Sequence, residues 1–235
     1  LVDGQHRLWA IVESDVPVKM AVTKGVSLDA QMVIDDHLTR SGSDALYLFT
    51  GQHIHAVFVA TIRAMEMGFS GQTKMSHIEL ARSFERFKPA ITWMQSIVGK
   101  LMRGVTSAPV ITAMTRAYYH VPAELLEKFW KGLVSGEAQE GCTAVQNRNI
   151  VLLRNFLLLK VPVHHHPNFH RGGTNHRHDI FARTERAIVA FANNEPISRL
   201  VPAKDELFPL PSEGKPRRKA VSRKATLNLR AAAKK

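Results

Sequence analysis

From residue 44 to residue 193, apolar side chains return every three or four positions, in segments long enough for several helical turns. That period places them on one stripe of a helix. It leaves a helical body as the only fold class that buries them together. The spacing predicts helices over Asp44–Met67, capped by Ser43 or Asp44, and from Ser76 to about Phe87. Further helices are predicted over Pro89–Val98, Ser107–Tyr119, Pro122–Val134, Val145–Lys160 and His178–Asn193. Ser76 and Glu79 stand at the spacing of a reciprocal capping box. Pro109 and Pro122 sit where a helix tolerates proline, at its first positions.

The opening residues read differently. Leu1-Val2 suggests the end of a buried strand, and Asp3 to Gln5 a turn in which Asp3 can cap the next helix. Leu8, Trp9, Ile11 and Val12 have helical spacing within Arg7–Ser14. Val18, Met20 and Val22 alternate as one face of a strand over Pro17–Thr23, and Ser27 starts a short helix reaching Val33. The expected fold is therefore mainly α. A small α/β element spans residues 1–43, a helical domain 44–195, and an irregular segment with a disordered basic tail 196–235. No internal repeat is visible. Because polar chemistry begins at residue 3, we expect an N-terminal piece of the small domain to be missing.

Asp3-Gly4-Gln5-His6-Arg7 lies between the strand stub and the first helix. The first N–H groups of a helix have no internal partners, and its dipole favours an anion there. Gly4 lets a ligand approach the backbone. Arg7 offers a planar fork matched to phosphate or carboxylate, and His6 can donate or accept a proton near neutral pH. These parts suit a nucleotide phosphate; a plain polar turn before a helix is the alternative.

The stretch Asp3 to Ala10 resembles the signature box of the ParB/sulfiredoxin-like superfamily, in the Asp-Gly-Gln-His-Arg form of phage, plasmid and DNA-modification-linked members. Ile34-Asp35, Arg40-Ser41 and Asp44-Ala45-Leu46 are similar to a stretch downstream of that box. The resemblance covers roughly the first fifty residues and implies the following. Gly4, His6 and Arg7 would face a phosphate, Asp3 and Gln5 would complete the turn, and Asp35 and Arg40 would mark the edge of the small domain. The cofactor would be a nucleoside triphosphate with Mg2+, and otherwise none. Relatives differ in activity, from nucleotide binding to ATP-dependent sulfur chemistry, so the fold does not choose among them.

The chain of 235 residues carries a net charge of +12. Nine basic residues against one acid give the last 24 residues +8, leaving +4 for everything before Ser212. Lys215, Arg217, Arg218, Lys219, Arg223, Lys224 and Arg230 lie in that tail, along with Lys234 and Lys235. With little apolar content, the tail is expected to be disordered in isolation and to hold nucleic acid through phosphate, without sequence preference. A solubilising end is the alternative. One cysteine, Cys142, excludes an internal disulfide framework. A cytoplasmic setting is expected, the host cytoplasm if the chain is viral, with no membrane partner because no apolar run reaches the roughly 18 residues a spanning helix needs.

Six histidines fall between His164 and His178. His166, His170, His176 and His178 are weak metal candidates, since the spacing fits no structural zinc pattern; a polar loop is preferred, with phosphate contact beside Arg171 and Arg177 as another use. Asp35, Asp36 and His37 are adjacent and point apart, so a shared ion is disfavoured. Trp9, Trp93 and Trp130 are expected in the core. There is no Gly-x-Ser-x-Gly elbow, phosphate-loop lysine or His-Glu-x-x-His motif. The expected function is that of a ParB-like, nucleotide-phosphate-binding, DNA-associated protein of phage or mobile-element type. One alternative is a nuclease or phosphotransferase acting on DNA or nucleotides, with His6 as acid/base. Another is a remnant acting only as a helical interaction domain.

Overall fold

The computed structural model describes residues 1, 3–27, 41–69, 75–158 and 174–211. It is mainly helical: eight helices and no strand among the described residues. In order they are α1 (Gln5–Ser14), α2 (Gly42–Thr50), α3 (Ala56–Met67), α4 (His77–Val98), α5 (Ala108–Ala117), α6 (Ala123–Ser135), α7 (Ala144–Leu157) and α8 (Thr174–Ala192).

The core is one continuous cluster running from Leu46 to Phe208. Helix α5 is its axis: every residue from Pro109 to Ala117 is buried, with α3, α4 and α8 packed around it. A helix buried on all sides must dispose of its polar groups internally. Thr112 and Thr115 do so by donating their hydroxyls to the carbonyls of Ala108 and Ile111, both at 2.7 Å. Phe129, Trp130 and Leu133 carry α6 into the core, and Phe129 meets Phe191 of α8 edge to face, 5.1 Å between centroids. Each such side chain contributes roughly 1.5–3 kcal/mol by leaving water.

Several boundaries differ from the sequence expectation. The helix expected over Asp44–Met67 is two helices. Gly51 ends α2 in the left-handed conformation (φ 70°), buried Ile54 plugs the turn, and the His55 ring accepts the Val57 N–H to start α3. The cap of α2 is Ser41, not Ser43 or Asp44; its hydroxyl accepts the Asp44 N–H and donates to the Asp44 carboxylate at 2.6 Å. Conversely, the two helices expected either side of Lys88 are one. Pro89 lies inside α4, and the helix continues because Phe84, Phe87, Ile91, Met94 and Val98 form one buried stripe. That burial outweighs the roughly 3 kcal/mol a mid-helix proline costs.

The N-terminal region forms no α/β element among the described residues. Pro17–Thr23 forms no strand and pairs with none of the described residues, and Val18, Met20 and Val22 are exposed. A strand needs a neighbour to take its N–H and C=O groups, and the described residues supply none. Helix α1 forms as expected yet buries no residue, so Trp9 is 64% exposed where a core position was expected. The start of the helix expected at Ser27 is irregular, and its remainder lies outside the described residues.

After α8 the chain is irregular, as expected, but it is packed. Ile197, Leu200 and Phe208 are buried against the helices. Residues 196–211 form a strap across the body that ends one residue before the basic segment.

Candidate functional site

The Asp-Gly-Gln-His-Arg box folds as the start of α1. Gly4 is the N-cap, in the left-handed conformation (φ 88°, ψ 10°), which a residue with a Cβ reaches only with strain. No side chain caps this helix end. Asp3 does not cap it as expected, because its carboxylate is engaged elsewhere. One oxygen accepts the Gly4 N–H at 2.5 Å and the other accepts from the Arg7 guanidinium at 3.2 Å. Asp3 thus organises the turn through Arg7. Gln5, His6 and Arg7 are exposed, with Arg7 at 75%. An exposed ion pair of this kind contributes little stability, so Arg7 is easily redirected to another anion.

The remaining candidates are scattered or outside the described residues. Asp35, Asp36, His37 and Arg40 lie outside them, as do His166 and His170 and the whole basic tail from Lys215 to Lys235. His176 and His178 stand in the first turns of α8, and Asp179 beside them is held by Arg183 at 2.9 and 3.0 Å. Among the described residues no three His, Cys, Asp or Glu side chains are grouped to hold a metal ion. Nor is any described helix long and apolar enough to cross a membrane. Cys142 is half-buried, and burial pushes its thiol up.

Helical patterning gave no sign of the cluster that joins α5, α8 and the strap. Arg116, at the end of α5, is buried with only 5% of its side chain exposed. Its Nε donates to the Phe208 carbonyl at 2.9 Å, and its two terminal nitrogens donate to the Glu206 carboxylate at 3.3 and 2.5 Å. Glu185 of α8 lies fully buried beside it. One Glu185 oxygen accepts the Leu207 N–H at 3.1 Å. The other stands 4.0 Å from Arg116 Nε and has no hydrogen-bond partner. Burial pushes the Glu185 carboxyl up to about 7, against the pull of the Leu207 N–H, the Arg116 charge and the Phe208 N–H; Glu206 adds to the rise.

Further along the strap, His120 bonds the Pro209 carbonyl at 2.7 Å and Arg86, itself paired with Glu66, bonds that of Pro211 at 3.2 Å. Arg183 also donates to the Leu200 carbonyl. Burial lowers the His120 ring against the opposing effect of its bond to Pro209. An irregular segment cannot satisfy its own backbone, so these side chains do it.

No family model matches the chain, and no curated protein or solved structure gives a match.

Proposed function

We propose that the protein is a ParB-like, DNA-associated factor that binds a nucleotide phosphate at the start of α1, with the basic tail holding nucleic acid. The observation that carries the reading is the uncapped N-terminus of α1, with a left-handed glycine at its N-cap and Arg7 within its first turn. Backbone donors, a permissive glycine and a loosely committed guanidinium are what phosphate recognition uses. The tail supplies a polycation whose phosphate contacts would be indifferent to sequence.

Calorimetry with nucleoside triphosphates and Mg2+ tests the box. Arg7→Ala should lose more than about tenfold in affinity, the equivalent of about 1.5–3 kcal/mol for a charge-assisted contact, with helicity unchanged. Equal affinity of the two proteins would sink the assignment.

One observation favours a second reading, a helical interaction domain: the core is complete from Leu46 to Phe208, while α1 buries nothing. Calorimetry separates the two: because α1 buries nothing, a ligand there need not move the melting of the core, so the absence of any binding heat with saturating nucleotide would leave only the interaction domain.

A further inference from the structure

Besides burying Ile197, Leu200 and Phe208, the strap is fastened by polar side chains that reach across to its backbone. Leu200, Phe208 and Pro211 present carbonyls to Arg183, Arg116 and Arg86, and Pro209 presents one to His120. At one place the direction reverses: the strap turns backbone N–H groups towards the buried carboxyl of Glu185, Leu207's at 3.1 Å and Phe208's beside it. Arg116 stands between that carboxyl and Glu206, but its hydrogen bonds all go to the strap. The second Glu185 oxygen lies out of water, makes no full hydrogen bond, and has its nearest cation at 4.0 Å and committed elsewhere.

An ionised carboxylate is poorly served in that position and a protonated one is not. If the strap lifts, water reaches Glu185 and its charge is no longer penalised. Losing the proton thus favours the lifted strap, by linkage.

We propose that Glu185, Arg116 and Glu206 form a proton-operated latch on the strap, which is held while Glu185 carries a proton and loosens as that proton passes to solvent. The groups facing Glu185 come from two neighbours. Helix α5 offers Arg116, with His120 just beyond its end, and the strap offers Glu206. On α8 itself Arg183 is turned to Asp179 and Leu200, and Arg186 approaches Glu195 at 4.0 Å.

His120 works with the opposite sign. Burial lowers its ring even though its bond to the Pro209 carbonyl favours the protonated form, so acid charges a ring that the closed strap keeps out of water. The raised Glu185 carboxyl sets the direction around and above neutrality. The basic segment follows immediately after Pro211, so the latch decides how much chain is free at the root of the tail. This inference does not depend on the phosphate reading of α1.

The test is amide hydrogen exchange of Leu207, followed by NMR on the full chain between about pH 5.5 and pH 8 and corrected for the intrinsic rate. Protection should fall by about tenfold or more across that range, as follows from a carboxyl near 7 when held and near its ordinary value when lifted. Amides of α5 such as Ala113 should keep theirs. Glu185→Gln, which preserves the acceptor for Leu207, should make the protection flat. Should that variant fold poorly, Glu206→Gln serves: removing its charge should move the wild-type transition to lower pH. A flat wild-type profile, parallel loss at Ala113, a Glu185→Gln profile like the wild type, or an unmoved transition in Glu206→Gln would each overturn the latch.

Discussion

Arg116 donates from the end of α5 to the main-chain oxygen of Phe208, 92 residues further along the chain. The bond ties the innermost helix to the strap that closes the fold, and it is made beside a buried acid. Replacing Arg116 with Met removes the bond and leaves Glu185 without a cation. At pH 8 the loss should be about 3–5 kcal/mol, the range for stripping one partner from a buried charge pair. Near pH 5, where Glu185 takes up a proton, the loss should be clearly smaller. Urea unfolding of wild type and Arg116→Met at both pH values measures it.

Glu185 by itself makes global stability pH-dependent. Its carboxyl lies at about 7 in the folded chain against an ordinary 4.5, so the folded state binds its proton more tightly. The contribution is fully present below the unfolded value and is lost as pH rises from about 4.5 to about 7. Glu185→Gln should therefore exceed wild type by about 1–3 kcal/mol at pH 8 and come close to it near pH 5. Denaturation midpoints for the two proteins across pH are the measurement; parallel curves would show that Glu185 is ionised throughout.

The helices divide sharply in what they contribute to stability. Trp9→Ala in α1 should change unfolding free energy by less than about 0.5 kcal/mol, because the side chain touches no core. Phe129→Ala in α6 removes a fully buried ring from the contact with Phe191 and should cost about 3–5 kcal/mol. Chemical unfolding of both variants tests the contrast.

For the tail, deleting residues 212–235 removes a net charge of +8. Affinity for duplex DNA should fall uniformly across sequences. The slope of log K against log salt should flatten by roughly 4 to 7 units if four to eight of the cations engage. Fluorescence anisotropy on two unrelated duplexes at several salt concentrations reads both effects. An unchanged slope would make the tail a solubilising end, and a loss on only one duplex would reveal sequence recognition.

What the residues show without a structure is what neighbours in the chain decide. The Ser76–Glu79 box forms as its spacing predicts, Pro109 and Pro122 stand at helix starts, and the apolar stripe of α4 is the buried one. The second capping box, Thr143 with Gln146, is equally visible as a Thr-x-x-Gln spacing, although the expected helix starts one residue later than the observed one. The turn of the Asp-Gly-Gln-His-Arg box is also local: Gly4 takes the left-handed conformation and Asp3 reaches Arg7 one helical turn away.

The tertiary structure decided what depends on burial against distant residues. Local rules end a helix at Pro89, yet the packing of Phe87 and Ile91 carries it through. Alternation alone made Pro17–Thr23 a strand, but alternation supplies no partner for its backbone. Arg116 and Glu185 are unremarkable charged residues in the chain, 69 positions apart; only the packing of α5 on α8 beneath the strap makes one a buried cation and the other a carboxyl that keeps its proton near neutrality. Periodicity reports which face of a helix avoids water. It does not report which charged residue that face will take with it, because desolvation is set by neighbours from elsewhere in the chain.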